Sequence, residues 1–179
     1  MMETRMFAPE LEVRSMSKRL LCGIVVPYGV DQRIDDTLTE RFEAGAFNHQ
    51  LRAANRVGLY HLHSNDGRSL QLGFATELRD DPAGLYGEFR VVDQTAYGDH
   101  YLALVREGAL REWSIGFEPM RDRAAGRTTV RVKAMLKETA LVPQGAYGEL
   151  AAVGQVRAAL PKLRRDELLA RLPKPTFPA

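Results

Sequence analysis

The chain has 179 residues, 45% of them hydrophobic and 27% charged, with a net charge of +2. This is the composition of one compact domain, not of a disordered or membrane-embedded chain, and 25 basic residues against 23 acidic ones give no overall pull towards nucleic acid. The single cysteine, Cys22, excludes an intramolecular disulfide, and in Leu20-Leu-Cys-Gly-Ile-Val25 it reads as a small buried strand residue rather than a nucleophile.

Residues 1–18 lack a continuous apolar stretch and form an extension; no later segment reaches the length of a membrane span, so cytoplasmic synthesis is expected. Arg19–Tyr28 is a β-branched run ending at Pro27, the pattern of a buried strand. After polar residues at 31–41, Phe47, Leu51 and Ala54 recur at helical spacing and predict a short amphipathic helix within 43–54. Strands follow at Val57–His63, Leu70–Leu78 and Leu85–Val92, the last two joined as a hairpin by Arg79-Asp-Asp-Pro-Ala-Gly84. Tyr97, Tyr101, Leu104 and Val105 share one face of a helix over 95–107, with Gly108 just past its end. Two more strands, Leu110–Phe117 and Thr128–Val142, flank a polar, arginine-rich loop at Arg121–Arg127. The core ends near Val153; leucines within 155–171 predict a peripheral helix, and a proline-bearing loose end follows. No repeat at solenoid or propeller periods is present.

The segment Glu112-Trp-Ser-Ile-Gly-Phe117 is notable for its alternation. On a strand, Trp113, Ile115 and Phe117 anchor one face and leave Ser114 and Gly116 on a bare one, open to an extended peptide. A strand serine that merely hydrogen-bonds its neighbours is the plainer reading of that pattern alone. Glu138 falls in phase with Val130, Val132, Ala134, Leu136, Ala140 and Val142 if 128–142 is one unbroken strand. A carboxylate there needs a cationic or hydrogen-bonding partner, because burial unpaired costs several kcal/mol. A bulge near Lys137 would instead return it to solvent. His61 and His63 share parity with Val57 and Leu59, about 7 Å apart along one face, and parity does not choose between them. A His-x-His pair without a third and fourth ligand at useful spacing is a poor zinc site. Serine, histidine and carboxylate on three strands are the groups that acyl transfer from a peptide requires.

In order along residues 20–153, Gly23-Ile-Val-Val-Pro-Tyr28, Glu40-Arg-Phe-Glu-Ala-Gly-Ala-Phe47, a histidine before Leu72-Gly73, Trp113-Ser-Ile-Gly-Phe117 and Leu136-Lys-Glu-Thr-Ala-Leu-Val-Pro143 resemble the phage prohead maturation proteases of the HK97 type. These proteases are related in fold to the herpesvirus assemblins. The resemblance implies an α+β protein with a mostly antiparallel, β-barrel-like core flanked by a few α-helices, with residues 19–153 as the protease domain and 154–179 as a basic helix and tail. It implies Ser114 as nucleophile, His63 as base and Glu138 as the third member. His63 is preferred over His61 because the family's histidine ends an apolar strand before the loop to Leu-Gly. The family usually has an aspartate after that histidine, where this chain has Ser64, and Pro-Ala-Asn where Gln144-Gly-Ala-Tyr147 follows Pro143.

The implied activity is endopeptidase cleavage of the capsid protein's scaffold segment, and of the protease itself, inside the procapsid in the host cytoplasm. It requires no metal or organic cofactor, and a homodimer is expected. The rival reading is a non-catalytic capsid assembly or scaffold module of the same fold. Arg157, Lys162, Arg164, Arg165, Arg171 and Lys174 read as a solvated helix face more readily than as a nucleic-acid-binding tail.

Overall fold

A computed structural model describes residues 19–61, 69–92, 95–143, 151 and 153–157. Nine strands and two helices are present among them: β1 (Leu20–Pro27), β2 (Gln32–Arg33), β3 (Thr39–Phe42), a 310 helix (Asn48–Arg56), β4 (Gly58–Tyr60), β5 (Gln71–Asp81), β6 (Gly84–Val91), α1 (Ala96–Arg106), β7 (Glu112–Ala125), β8 (Thr128–Val142) and β9 (Val153–Arg157). The strands form one sheet in the order β2-β3-β8-β4-β5-β6-β1-β9, with β7 also paired to β8. Pairing is antiparallel except where β3 and β4 run parallel to β8. The sheet curls into a half-barrel. Its curvature brings the Phe89 ring of β6 to 5.0 Å from the Trp113 ring of β7, although two strands, β4 and β5, separate β6 from β8, the partner of β7. The α+β class and the hairpin over β5 and β6 are as the sequence predicts.

Local chemistry accounts for the elements that frame the sheet. β1 lies between β6 and β9 and buries seven of its eight residues, Cys22 among them, which is why it reads as an unbroken apolar run. Thr95 caps α1 by accepting a hydrogen bond from the Gly98 amide at 3.1 Å. At the other end Gly108, at φ 76°, lets its own amide reach Val105 O and that of Ala109 reach Leu104 O, at 3.1 and 2.9 Å. Asp99 of α1 forms a buried ion pair with Arg19 beside β1, and Tyr101, Leu102 and Val105 enter the core. No helix among the described residues is long and apolar enough to cross a membrane.

β8 is the axis of the fold. One edge takes β7 along almost its whole length; the other takes β3 at 128–131 and β4 at 138–140. The gap between β3 and β4 leaves backbone groups of β8 to be satisfied by other means. The Glu43 amide donates to Arg131 O at 3.1 Å and the Ala134 amide to Ala46 O at 3.0 Å. Gln50 completes the ladder: its buried amide accepts from Leu136 N at 2.6 Å and donates to Leu136 O at 3.0 Å, as a strand's peptide group would. At the far end Arg131 holds Glu40 at 2.9 Å and Asp122 at 2.6 Å. Burial works against its charge, but these two carboxylates hold its proton more tightly than an ordinary arginine's.

Several expectations are corrected. The polar stretch 31–41 contains β2 and most of β3. The helix expected within 43–54 is two 310 turns run together across Ala53, starting at Asn48, with Phe47 buried just before it. The strand expected over Val57–His63 ends at Tyr60. The arginine-rich loop is strand as far as Ala125, and only Gly126-Arg127 turn. Residues 155–157, read as the start of a helix, are strand β9 on β1; residues 158–171, the N-terminal extension and the tail lie outside the described residues.

The Gln50 clamp makes a stability prediction. In Gln50→Leu two buried backbone groups lose their partner, at about 1–3 kcal/mol each. Urea unfolding is expected to show a loss of about 2–4 kcal/mol with an unchanged m-value; a loss below about 0.5 kcal/mol would mean that the clamp is not stabilising.

Candidate active site

From Glu112 to Gly116, β7 runs in unbroken register against Val142 to Glu138 of β8, so its side chains alternate strictly. Trp113 is 1% exposed and Ile115 and Phe117 pack against the core, which leaves Ser114 and Gly116 on the opposite face, as the alternation predicts. Ser114 is half-buried there.

Glu138 reaches that same face by a route the sequence pattern hides. Between Gly116 and Phe117 the partner on β8 jumps from Glu138 to Leu136, which makes Lys137 the extra residue of a bulge. Leu136 stays opposite Phe117 in the core, and Glu138 is thrown out of its phase onto the Ser114 side. A Cβ built on Gly116 would lie 2.6 Å from Glu138 Cγ and 3.0 Å from Oε1, so the carboxylate stem occupies the space that this glycine leaves. The unbroken phase expected for Glu138 is thus corrected: the alternative, a bulge near Lys137, is present, but it does not return Glu138 to solvent, since Glu138 is 7% exposed. Across β8 its other neighbour is Gly58, over which the Tyr60 ring folds; a Cβ at Gly58 would meet Tyr60 Cε2 at 2.4 Å. Glycines thus flank Glu138 on both neighbouring strands. Ser114, opposite Ala140, is its diagonal neighbour, and such pairs stand about 7–8 Å apart.

His61 lies one residue beyond β4, where parity no longer applies. Its amide donates to Leu70 O at 3.2 Å and its Nδ1 accepts from the Leu70 amide at 2.9 Å. A backbone N–H can only donate, so a neutral His61 carries its proton on Nε2. A base of the serine type needs the reverse, a free Nε2 and a protonated Nδ1. His61 is built to tie the two ends of the 61–70 segment together. His63 lies outside the described residues.

Two features of this region escape the sequence patterns. Glu112, a second buried acid on the Ser114 face at 4% exposure, has Arg111 Nε 3.7 Å away. The Tyr101 hydroxyl accepts from the Leu141 amide at 3.1 Å and lies 3.0 and 3.1 Å from the carbonyl oxygens of Leu141 and Tyr60. A polar tip on a helix residue that otherwise fits the apolar stripe is the only trace that Tyr101 leaves in the sequence.

A serine on a bare sheet face, diagonal to a buried carboxylate, supplies two of the three groups of a serine hydrolase. Residues 9–159 match the model of the caudovirus prohead serine protease family, and the chain belongs to that family. Its members are serine peptidases of phage prohead maturation. No curated protein and no solved structure matches the chain.

The space at Gly116 is testable. In Gly116→Ala the new methyl group displaces the Glu138 stem, with an expected stability loss of about 1–3 kcal/mol and a fall in kcat of about a hundredfold from misplacement. Thermal unfolding and steady-state kinetics read the two effects separately; unchanged kcat would show that the Glu138 position is irrelevant to turnover.

Proposed function

We propose that the chain is a serine endopeptidase in which Ser114 is the nucleophile, His63 the general base and Glu138 the group that orients the imidazole. The observation that carries the reading is the shared face: the bulge at Lys137 and the gap at Gly116 bring Glu138 diagonally beside Ser114. A diagonal spacing of about 7–8 Å leaves room for one imidazole ring with a hydrogen bond of about 3 Å at each end. The tie between His61 Nδ1 and Leu70 favours His63 over its neighbour as the base.

In this mechanism Ser114 Oγ attacks the scissile carbonyl as its proton passes to His63. The imidazolium, steadied by the Glu138 carboxylate, returns the proton to the leaving amine, and water releases the acyl group by the same steps in reverse order of partners. Backbone amides supply the oxyanion donors. The substrate is the scaffold segment of the capsid protein, together with the enzyme's own tail, cut inside the procapsid in the host cytoplasm. The half-barrel is taken as assemblin-like, and the working unit as a homodimer.

Fluorophosphonate labelling and incubation with the capsid precursor test the assignment. Ser114→Ala is expected to abolish labelling, precursor cleavage and loss of mass from the tail, and His63→Ala to slow the reaction by about a thousandfold or more. His61→Asn preserves an acceptor for the Leu70 amide and should react within about tenfold of wild type. Labelling that survives Ser114→Ala contradicts the nucleophile; loss in His61→Asn with retention in His63→Ala exchanges the base. A wild-type chain that neither labels nor cleaves is the outcome of a non-catalytic assembly module.

A further inference from the structure

The β4–β8 ladder ends at the pair Tyr60–Ala140, and the next residue of β8, Leu141, turns its amide and its carbonyl to a side chain instead of to β4. That side chain is Tyr101, delivered by α1 and 5% exposed. Its hydroxyl accepts from Leu141 N at 3.1 Å, and its single proton is shared between Leu141 O at 3.0 Å and Tyr60 O at 3.1 Å. One oxygen atom thus takes the position that the next strand residue would occupy, and fixes the place where the chain leaves the sheet.

Leu141 is paired across β7 with Trp113, and its neighbour Ala140 with Ser114. Tyr60 stands three residues before His63 in the chain. The hydroxyl therefore joins the strand opposite the candidate nucleophile to the strand end from which the candidate base departs. From this geometry we propose that Tyr101 is a positioning residue of the protease, holding the end of β4 against β8 and so fixing the stretch of β8 that carries Glu138 and Ala140, the partner of Ser114. The inference rests on the assignment of Ser114 and Glu138 above. Burial raises the Tyr101 hydroxyl well beyond the range in which tyrosines ordinarily ionise, so the clamp keeps its proton across the working pH range. His61, bound to Leu70 through both its amide and its ring, ties off the same segment ten residues further on and leaves Tyr101 as the only described side chain that bonds both Tyr60 and Leu141.

Tyr101→Phe removes the oxygen and keeps the ring in the core. Against a peptide substrate, kcat and the rate of fluorophosphonate labelling should both fall by about tenfold to a hundredfold, with KM within about threefold, because alignment and not substrate binding is lost. Leu78→Ala serves as the stability control: it truncates a core residue four positions beyond Phe74, a β5 partner of β4. At a temperature where both variants are folded, it should keep kcat within about threefold even with an equal or larger drop in Tm. Wild-type kcat in Tyr101→Phe, or an equal loss of kcat in Leu78→Ala, would overturn the role of the clamp while labelling still depends on Ser114. Labelling that survives Ser114→Ala would overturn the assignment beneath it.

Discussion

A carboxylate buried on a central strand needs room as well as a polar partner, without which it costs several kcal/mol, and the strands around Glu138 supply the room. β7 and β4 each present a glycine opposite Glu138, and each glycine leaves space that a methyl group would close: Gly116 for the Glu138 stem and Gly58 for the Tyr60 ring. The bulge at Lys137 sets the direction. Without it Glu138 would follow the phase of Leu136 into the apolar core; with it the carboxylate emerges beside Ser114. One inserted residue therefore separates a carboxylate aimed into the core from one on the face of Ser114, in keeping with the frequency of bulges next to active sites.

The rest of the sheet follows from that demand on β8. A strand that must present one group in a fixed place has to be held on both edges, and β4 is too short to do so alone. Gln50 and Ala46 close the ladder below β4, and Tyr101 closes it above. The two helices thus act less as outer layers than as suppliers of polar side chains, Gln50 and Tyr101, to a discontinuous sheet, and the turn before the first adds the Ala46 carbonyl. Away from the site, β7 continues as an exposed strand along β8, where Pro119 and irregular register at Pro119–Asp122 discourage further strand pairing along its edge.

What was legible in the sequence tracks burial on both faces. β1 and α1 carry strong apolar periodicity, and Asp81-Pro-Ala-Gly84 is unmistakable turn chemistry; these elements stand close to where patterns place them. β8 matches its expected bounds, but the sequence does not decide between an unbroken strand and a bulge within it, because Lys137 and Glu138 are equally polar in either phase. The outer half of β7 carries no strand signal because residues 118–124 are exposed on both faces, so no alternation marks them. β2 and β3 were hidden for a similar reason: two and four residues give a period of two no length to show itself. β9 was lost under the leucines that follow it, whose helical spacing dominates any window that includes residues 155–157. Of the site, Ser114 on its bare face was readable from alternation alone. Gly58, Gln50, Glu112 and Tyr101 were not, because the role of each is a contact between elements far apart in the chain.

The central claim is that the bare face of β7 carries a serine activated for attack on carbonyl carbon. Digesting fluorophosphonate-treated protein and sequencing the modified peptide by mass spectrometry tests it most directly. The account predicts a single stoichiometric adduct on Ser114, within Glu112–Phe117; an adduct on another residue, or none in protein that cleaves its precursor, would contradict it.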